Sequence, residues 1–278
     1  MPELPEVETV VRSLAPRLEG RRIVDVWGSG LPLRLARPVD LRHVSALCLR
    51  RRFRAVRRRG KYILLELGKV SDGGDAGLSV HLGMTGRLRL QPAREPRAPH
   101  THVVWTLDRG DELRFVDPRR FGSVSPADSL AALPELAQLG PDPLSELDER
   151  ELGARLDGVR APIKAFLLDQ RRVAGLGNIY VCEALHRARI HPSTPASRAR
   201  GRAAALLAGI RGALESGIAN RGTTLRDFVD SNGEAGENLA SLLVYGREGA
   251  PCRTCGARVR RRVDAARSTF FCPGCQKK

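Results

Sequence analysis

The feature that most constrains the fold of this chain is a pair of Cys-x-x-Cys motifs. Cys252 and Cys255 form the first motif and Cys272 and Cys275 the second, with sixteen residues between them. Motifs at this separation bring four thiolates to one tetrahedral zinc ion. Because protein ligands then fill every position on the metal, we predict one structural Zn²⁺ rather than a catalytic one. A disulfide pairing is the weaker alternative.

A second constraint is charge, because the 278 residues carry a formal net charge of +16 at pH 7. Such an excess indicates a polyanionic partner, and nucleic acid is the first candidate. A membrane-surface protein is the competing interpretation, but its amphipathic anchor or long apolar run is not found in the sequence. The acidic, helical start does not resemble a signal peptide. We therefore expect a cytoplasmic protein in which Cys48 and Cys182 are buried thiols.

The start of the chain carries residues suited to covalent catalysis. Met1 precedes a small residue and is expected to be removed, which leaves Pro2 as a secondary amine that titrates near about 7.7–8.0. Such an amine can attack a sugar carbon and form a Schiff base with it. Glu3, the next residue, can act as a general acid or base. The structural alternative is an ordinary helix start, because apolar residues recur at helical spacing as far as Leu18.

A basic segment in the first half has two interpretations. Residues 49–61 contain seven arginines and one lysine, and such runs are usually solvated. However, residues 62–67 follow at once and predict a buried strand. This strand would fix Lys61 at its beginning, where a lysine suits a phosphate close to a reaction centre.

Three short segments suit contact with nucleic acid. Met84 lies between glycines in a break between predicted strands, as either a core residue or an apolar wedge. Arg119 and Phe121 occupy a polar turn, which is either an ion-paired surface loop or a probe of a duplex. Asn178 lies in a Gly-x-Gly-Asn turn that exposes N–H groups to phosphate, although glycine in such a turn also has purely steric explanations.

Together these motifs resemble the bacterial formamidopyrimidine-DNA glycosylases, base-excision repair enzymes for oxidised purines. The related endonuclease VIII branch prefers oxidised pyrimidines and typically has glycine after its Met-Pro-Glu start, so Leu4 favours the purine branch. The resemblance spans nearly the whole chain and is carried by residues 1–8, 59–62, 81–86, 117–122, 177–180 and 244–247, and by the four-cysteine finger with residues 267–270.

The resemblance implies an α+β fold in three parts. Residues 1–135 would form an N-terminal catalytic β-sandwich with a leading helix, and residues 136–245 a helical helix–two-turn–helix DNA-binding domain. Residues 246–278 would form a Cys₄ zinc-finger β-hairpin. The implied partner is double-stranded DNA with damaged bases or abasic sites, and the implied state is a monomer in the cytoplasm, associated with the nucleoid.

The resemblance also implies roles for individual residues. Pro2 would be the nucleophile at the sugar C1′, and Glu3 the acid that helps to open the sugar ring. Lys61 would contact DNA at the catalytic centre, and Arg267 would grip phosphate and assist strand cleavage. The residues implied to bind DNA or to fill the space of a flipped base are Met84, His100, Arg119, Phe121, Lys164 and Asn178.

The implied activity is a bifunctional DNA glycosylase and abasic-site lyase that nicks by β,δ-elimination. An endonuclease VIII-like glycosylase for oxidised pyrimidines is one alternative. A non-catalytic zinc-finger DNA-binding protein is another, which the presence of Pro2, Glu3 and Lys61 disfavours. A zinc-ribbon protein adaptor is a third, and the net charge disfavours it.

One segment departs from the family pattern. Residues 231–238 resemble part of the loop that covers the flipped lesion, where the family tends to have Pro-Gly and then an aromatic residue. Here Ala235 and Asn238 occupy those positions, and Glu234 and Glu237 add negative charge. We expect a flexible loop that closes less readily over 8-oxoguanine.

Overall fold

The computed structural model describes residues 1–33, 39–68, 76–225 and 228–277. These residues form two compact units. The first unit comprises Met1–Ala137 together with Arg221–Glu237, and the second comprises Gln138–Asn220 together with Asn238–Lys278. A segment from the second half of the sequence therefore belongs to the unit that contains the first half.

The first unit is a β-sandwich of two four-stranded antiparallel sheets. One sheet has the strand order β1-β6-β7-β5 and the other the order β2-β3-β4-β8. The helices of this unit are α1 (Leu4–Leu18), α2 (Leu41–Cys48) and α3 (Pro134–Ala137). The strands are β1 (Ile23–Gly28), β2 (Arg52–Arg59), β3 (Tyr62–Gly68), β4 (Gly77–His81), β5 (Arg87–Pro92), β6 (Thr101–Leu107), β7 (Asp111–Val116) and β8 (Ser123–Ala127).

A single hydrophobic core joins the two sheets and α1. Residues such as Trp105 and Phe115 from one sheet and Ile63 and Leu65 from the other are fully buried in it. Helix α1 contributes the residues at helical spacing from Val7 to Leu18. The predicted leading helix and β-sandwich are confirmed, and β6 and β7 form a hairpin whose connection is residues 108–110.

The second unit is helical at its beginning. The helices are α4 (Glu149–Leu156), α5 (Ile163–Leu168), α6 (Asn178–Arg187) and α7 (Ala203–Ala219). Asp148 caps α4, since its carboxylate accepts a hydrogen bond from the Glu151 N–H at 2.7 Å. Short 3₁₀ segments occur at Ala196–Arg202 and Asn238–Ser241.

A two-stranded antiparallel hairpin ends the second unit. Strand β9 (Arg260–Asp264) pairs with β10 (Arg267–Phe271), and Arg267 is opposite Asp264. The connection is therefore the two residues Ala265 and Ala266, with φ values of 45° and 62°. The hairpin predicted between the two Cys-x-x-Cys motifs is confirmed. None of the described helices is long and apolar enough to cross a membrane.

Candidate active site and nucleic-acid interface

The N-terminal corner of the first unit is built on buried carboxylates. Pro2 is buried, and Glu3 precedes α1 in an extended conformation with 4% of its surface exposed. Glu6, in the first turn of α1, accepts a hydrogen bond from the backbone N–H of Glu3 at 2.8 Å. This contact satisfies one N–H that the helix itself leaves without an acceptor. The structural and the catalytic interpretations of the start are therefore compatible, because the helix cap fixes the backbone next to Pro2.

Glu6 also connects this corner to the segment 221–237. Its second carboxylate oxygen accepts a hydrogen bond from the Thr223 N–H at 2.7 Å, and Glu6 is 2% exposed. Gly222, with φ of 86°, makes this approach possible, because an added Cβ would lie 3.1 Å from the Glu6 Cγ. One buried carboxylate thus joins two backbone segments that are 217 residues apart.

Lys61 lies in the turn between β2 and β3 and is 6% exposed. The predicted strand after it is confirmed, since β3 begins at Tyr62. The basic segment before it is only partly solvated, because Arg50, Arg51, Arg52 and Arg57 are exposed but some of its arginines also form ion pairs. Arg57 donates to Glu66 from the neighbouring strand at 2.9 Å, and Arg58 donates to Glu8 of α1 at 2.8 Å.

Two loops that the sequence singles out are joined at Asp117. Its carboxylate accepts hydrogen bonds from the Thr85 hydroxyl at 2.6 Å and from the Gly122 N–H at 2.8 Å. Gly83, with φ of 63°, is needed where the loops meet, because a Cβ there would lie 2.5 Å from the Phe121 carbonyl carbon. Residues 82–86 and 117–122 therefore form one rigid surface, here called the probe surface.

The probe surface carries Met84, Arg119 and Phe121, the three residues predicted to fill the space that a flipped base leaves in the duplex. Met84 is 41% exposed, so the interpretation as a core residue is wrong. The Arg119 guanidinium lies 4.8 Å from the centre of the Phe121 ring, a cation–π contact that keeps both side chains together. His100 is exposed and adjoins this surface, since its carbonyl accepts from the Asp117 N–H at 3.0 Å.

The other predicted DNA contacts belong to the second unit and meet at one backbone carbonyl. Lys164 donates to the Thr269 hydroxyl at 2.6 Å and to the Ser268 carbonyl at 3.3 Å. Asn178 donates to the same carbonyl at 2.8 Å. Burial lowers the pKa of Lys164. Arg267, which is exposed, immediately precedes Ser268, so two helices are attached to the strand that carries it.

The four finger cysteines have the geometry of a tetrahedral metal site. Their sulfur atoms all lie within 4.8 Å of one another. In a Cys₄ zinc site with Zn–S bonds of about 2.3 Å, the sulfurs are about 3.8 Å apart. Cys252 and Cys275 are separated by 3.9 Å, and Cys255 and Cys272 by 3.4 Å. This donor set fits one structural zinc ion, as the sequence predicts.

His186 on α6 supports this site from outside the ligand set. Its Nε2 lies 3.4 Å from the Cys252 sulfur. Burial raises the pKa of Cys252, but hydrogen bonds from the Thr254 and Cys255 N–H groups and from His186 outweigh it and lower the pKa to about 5. A thiolate is the metal-binding form of cysteine. By contrast, Cys48 and Cys182 are both buried, as predicted, and burial raises the pKa of Cys48 to about 12.

Sequence reasoning missed several buried polar residues that organise these sites. In the sequence, Glu6 is an ordinary acidic residue in the first turn of a helix. Glu183 on α6 accepts from three consecutive backbone N–H groups, those of residues 243–245, each within 2.9 Å. Arg114 is fully buried, and it holds the loop 92–96 through three backbone carbonyls. No spacing rule identifies such residues, because their partners lie far away in sequence.

The segment 231–237 is anchored more firmly than expected. The Asp230 carboxylate accepts from the N–H groups of residues 232 and 234, both at 2.9 Å. The Ser231 hydroxyl donates to Ser13 of α1 at 2.7 Å. Glu234 and Glu237 both form ion pairs with Arg221. The two added acids are therefore partly neutralised, and we expect less repulsion of phosphate than their charges alone suggest.

Comparison with known protein families covers most of the chain. The formamidopyrimidine-DNA glycosylase N-terminal domain matches residues 1–124, and the formamidopyrimidine-DNA glycosylase H2TH domain matches residues 139–229. The zinc finger found in FPG and IleRS matches residues 249–278. Two proteins named formamidopyrimidine-DNA glycosylase, from Rhizorhabdus wittichii and Pelotomaculum thermopropionicum, are 48% and 46% identical. The alignments cover all of this chain and 100% and 99% of those proteins.

Solved structures show the same architecture. Lactococcus lactis Fpg in complex with DNA containing N7-benzyl-Fapy-dG has a TM-score of 0.88 at 33% identity, with both chains fully covered. The same enzyme with abasic-site DNA has a TM-score of 0.86 at 33% identity, covering 99% of this chain and 100% of that one. The fold and these matches define a DNA glycosylase with a C-terminal zinc finger. The chain belongs to the formamidopyrimidine-DNA glycosylase family.

Proposed function

We propose that this protein removes oxidised purines, formamidopyrimidines and 8-oxoguanine, from double-stranded DNA and then cuts the strand at the resulting abasic site. The proposal rests mainly on the N-terminal corner, where Pro2 and Glu3 are buried at the start of α1. The Glu6 carboxylate fixes the backbone there by accepting a hydrogen bond from the Glu3 N–H. Membership of the family supports it, as do relatives solved with DNA that holds a damaged base or an abasic site.

In the proposed reaction, removal of Met1 frees the nitrogen of Pro2. This amine attacks the sugar C1′, the bond from C1′ to the base breaks, and the base leaves with a proton. Glu3 donates a proton to the ring oxygen of the sugar, so that the ring opens and an iminium forms. The iminium acidifies the C2′ protons. Loss of one expels the 3′ phosphate, a second elimination expels the 5′ phosphate, and hydrolysis of the iminium releases Pro2.

The other residues would hold the DNA for this chemistry. Lys61 would bind a phosphate near the reacting sugar, and Arg267 would bind phosphate and assist cleavage. A base must leave the stack before its sugar can be attacked, which costs a few kcal/mol. Met84, Arg119 and Phe121 on the probe surface would offset that cost by filling the vacated space. His100, Lys164 and Asn178 would bind the backbone, Lys164 and Asn178 alongside the strand that carries Arg267.

The zinc site would act by holding the hairpin of Arg267 rather than in the reaction. A bound zinc ion supplies folding free energy to a small domain. We further propose that the protein works as a monomer in the cytoplasm and acts on nucleoid DNA, because its proposed substrate is damaged double-stranded DNA.

We also infer that ring-opened formamidopyrimidines are excised more readily than 8-oxoguanine opposite cytosine. Ala235 leaves a backbone dihedral free that proline would fix, so ordering the loop costs more entropy. Restoring an aromatic residue at position 238 is not a suitable test. Asn238 is 2% exposed and accepts hydrogen bonds from Ser216 and Asn220, so a larger apolar side chain there would disturb the packing. Ala235→Pro is the better test. It should bring the single-turnover excision rate for 8-oxoguanine closer to that for formamidopyrimidines.

The experiment that tests the function is a panel of duplexes, each with one lesion, assayed separately for base release and nicking. We expect both activities on oxidised purines, and nicking at a preformed abasic site. Glu3→Gln should lose base release but keep some of that nicking. Preferential release of an oxidised pyrimidine would favour the endonuclease VIII-like alternative. DNA binding without release or nicking on any duplex would favour the non-catalytic one.

A further inference from the structure

A cavity of about 810 Å³ lies in the second unit, between the end of α6, the 3₁₀ segment Ala196–Arg202 and the two cysteine motifs. Its walls include four cationic side chains, and no carboxylate is present among the described residues that line it. The cations are Arg189, Arg198, Arg202 and Lys277, and all four are exposed. Pockets of this size accommodate ligands of several hundred daltons.

The arginines of the cavity differ in the contacts that they make. Arg202 donates to the carbonyls of Ala188 and Arg189 at 2.6 and 3.3 Å, so it closes the C-terminal end of α6. Arg189 itself has φ of 54°, at a position after a helix where glycine is the usual residue. An arginine therefore occupies a backbone conformation that disfavours it. Within the described residues, neither Arg189 nor Arg198 forms an ion pair, so both can bind an added anion.

The composition of the walls distinguishes between classes of anion. Sites that bind single-stranded nucleic acid combine positive charge with aromatic rings for base stacking, and none of the described residues that line this cavity is aromatic. A duplex is too wide to enter it. The cavity also shares no residue with Lys164, Asn178 and Arg267. Ile190 and Ala199 provide an apolar floor beneath the cations. Carboxylates with an interspersed apolar side chain match this arrangement.

We propose that this cavity binds an acidic, partly apolar peptide segment of a protein partner, through Arg189 and Arg198. The inference does not depend on the proposed DNA chemistry. It assigns a second binding surface to the second unit, lined by residues other than those proposed to hold DNA.

The test uses the zinc-loaded full-length protein and a fluorescein-labelled peptide of alternating Asp-Asp-Leu triplets, with binding followed by fluorescence anisotropy. We expect binding that weakens as salt increases. Arg189→Gly with Arg198→Ala should reduce the affinity at least about fivefold, since two ion pairs are lost. Glycine suits the φ of residue 189, so this variant should stay folded. The matched control, Arg42→Ala with Arg150→Ala, removes two exposed positive charges elsewhere and should bind the peptide normally.

Three results would overturn the proposal. The first is that the unmodified protein and the cavity variant bind the peptide with equal affinity. The second is that the control variant loses as much affinity for the peptide as the cavity variant does. The third is a labelled oligothymidine that binds more tightly than the peptide and loses the same affinity in the cavity variant, which would make the cavity a nucleic-acid subsite. Nicking at an abasic site should be unchanged in the cavity variant, so failure here is separable from failure of the proposed function.

Discussion

The N-terminal corner and the finger hairpin bring catalytic candidates into position by different means. Glu3 is fixed by a buried carboxylate at the edge of a large hydrophobic core. Arg267 is carried by a two-stranded hairpin that packs on a small cluster containing metal-ligating cysteines. The first site is preorganised by burial of apolar surface. The second depends on four thiolates, which repel one another unless a metal cation binds between them. The two sites should therefore respond differently to the same kinds of perturbation.

The largest expected effect is removal of one zinc ligand. Cys272→Ser should release the metal and disorder the hairpin, because zinc supplies on the order of 10 kcal/mol to the folding of small metal domains. DNA affinity should fall, while the near-ultraviolet circular dichroism of the buried Trp105 should be retained. Zinc content and affinity for an abasic duplex measure both parts. Cys48→Ala removes a buried thiol that is not a ligand, and this control should keep its zinc. Full affinity in zinc-free Cys272→Ser would contradict the dependence.

The second effect concerns the other site. Glu6→Gln replaces a buried acceptor of two backbone N–H bonds, and its amide group then faces a donor. The free energy of unfolding should fall by about 1–3 kcal/mol, and nicking should fall while zinc content stays unchanged. Urea denaturation and a nicking assay provide the measurements. Glu215→Gln, at an exposed position on α7, should change stability by less than about 0.5 kcal/mol. A similarly small effect at Glu6 would show that the corner is not held by this carboxylate.

The smallest effect is a gain rather than a loss. Ala265 and Ala266 both have positive φ, and two-residue hairpin turns of this kind favour Asn-Gly. Replacing them by Asn and Gly should stabilise the hairpin by about 1 kcal/mol without altering Arg267. Amide hydrogen exchange in β9 and β10 should slow, and chelators should extract zinc more slowly. Unchanged exchange would mean that the turn does not limit the stability of the finger.

The contrast between the sites also explains what the sequence could predict. The zinc-ligand cysteines, the leading helix and the strand after Lys61 are predicted from local patterns, and each is found in the structure. The contact of Glu6 with Thr223 spans 217 residues, and it is one of the contacts that attach residues 221–237 to the first unit. The anchoring of Ser231 on Ser13 and the pairing of two acids with Arg221 are equally non-local. Such contacts follow from tertiary packing, which no periodicity or spacing encodes.

The proposed nucleophile, Pro2, can be identified directly by trapping the covalent intermediate. Borohydride added during reaction with an abasic duplex should reduce the iminium and leave a stable protein–DNA adduct, which peptide mass spectrometry can locate. We expect a cross-link at the amino terminus on Pro2, and no adduct when Met1 is retained on the protein. A cross-link through Lys61, or through any other lysine, would contradict this assignment.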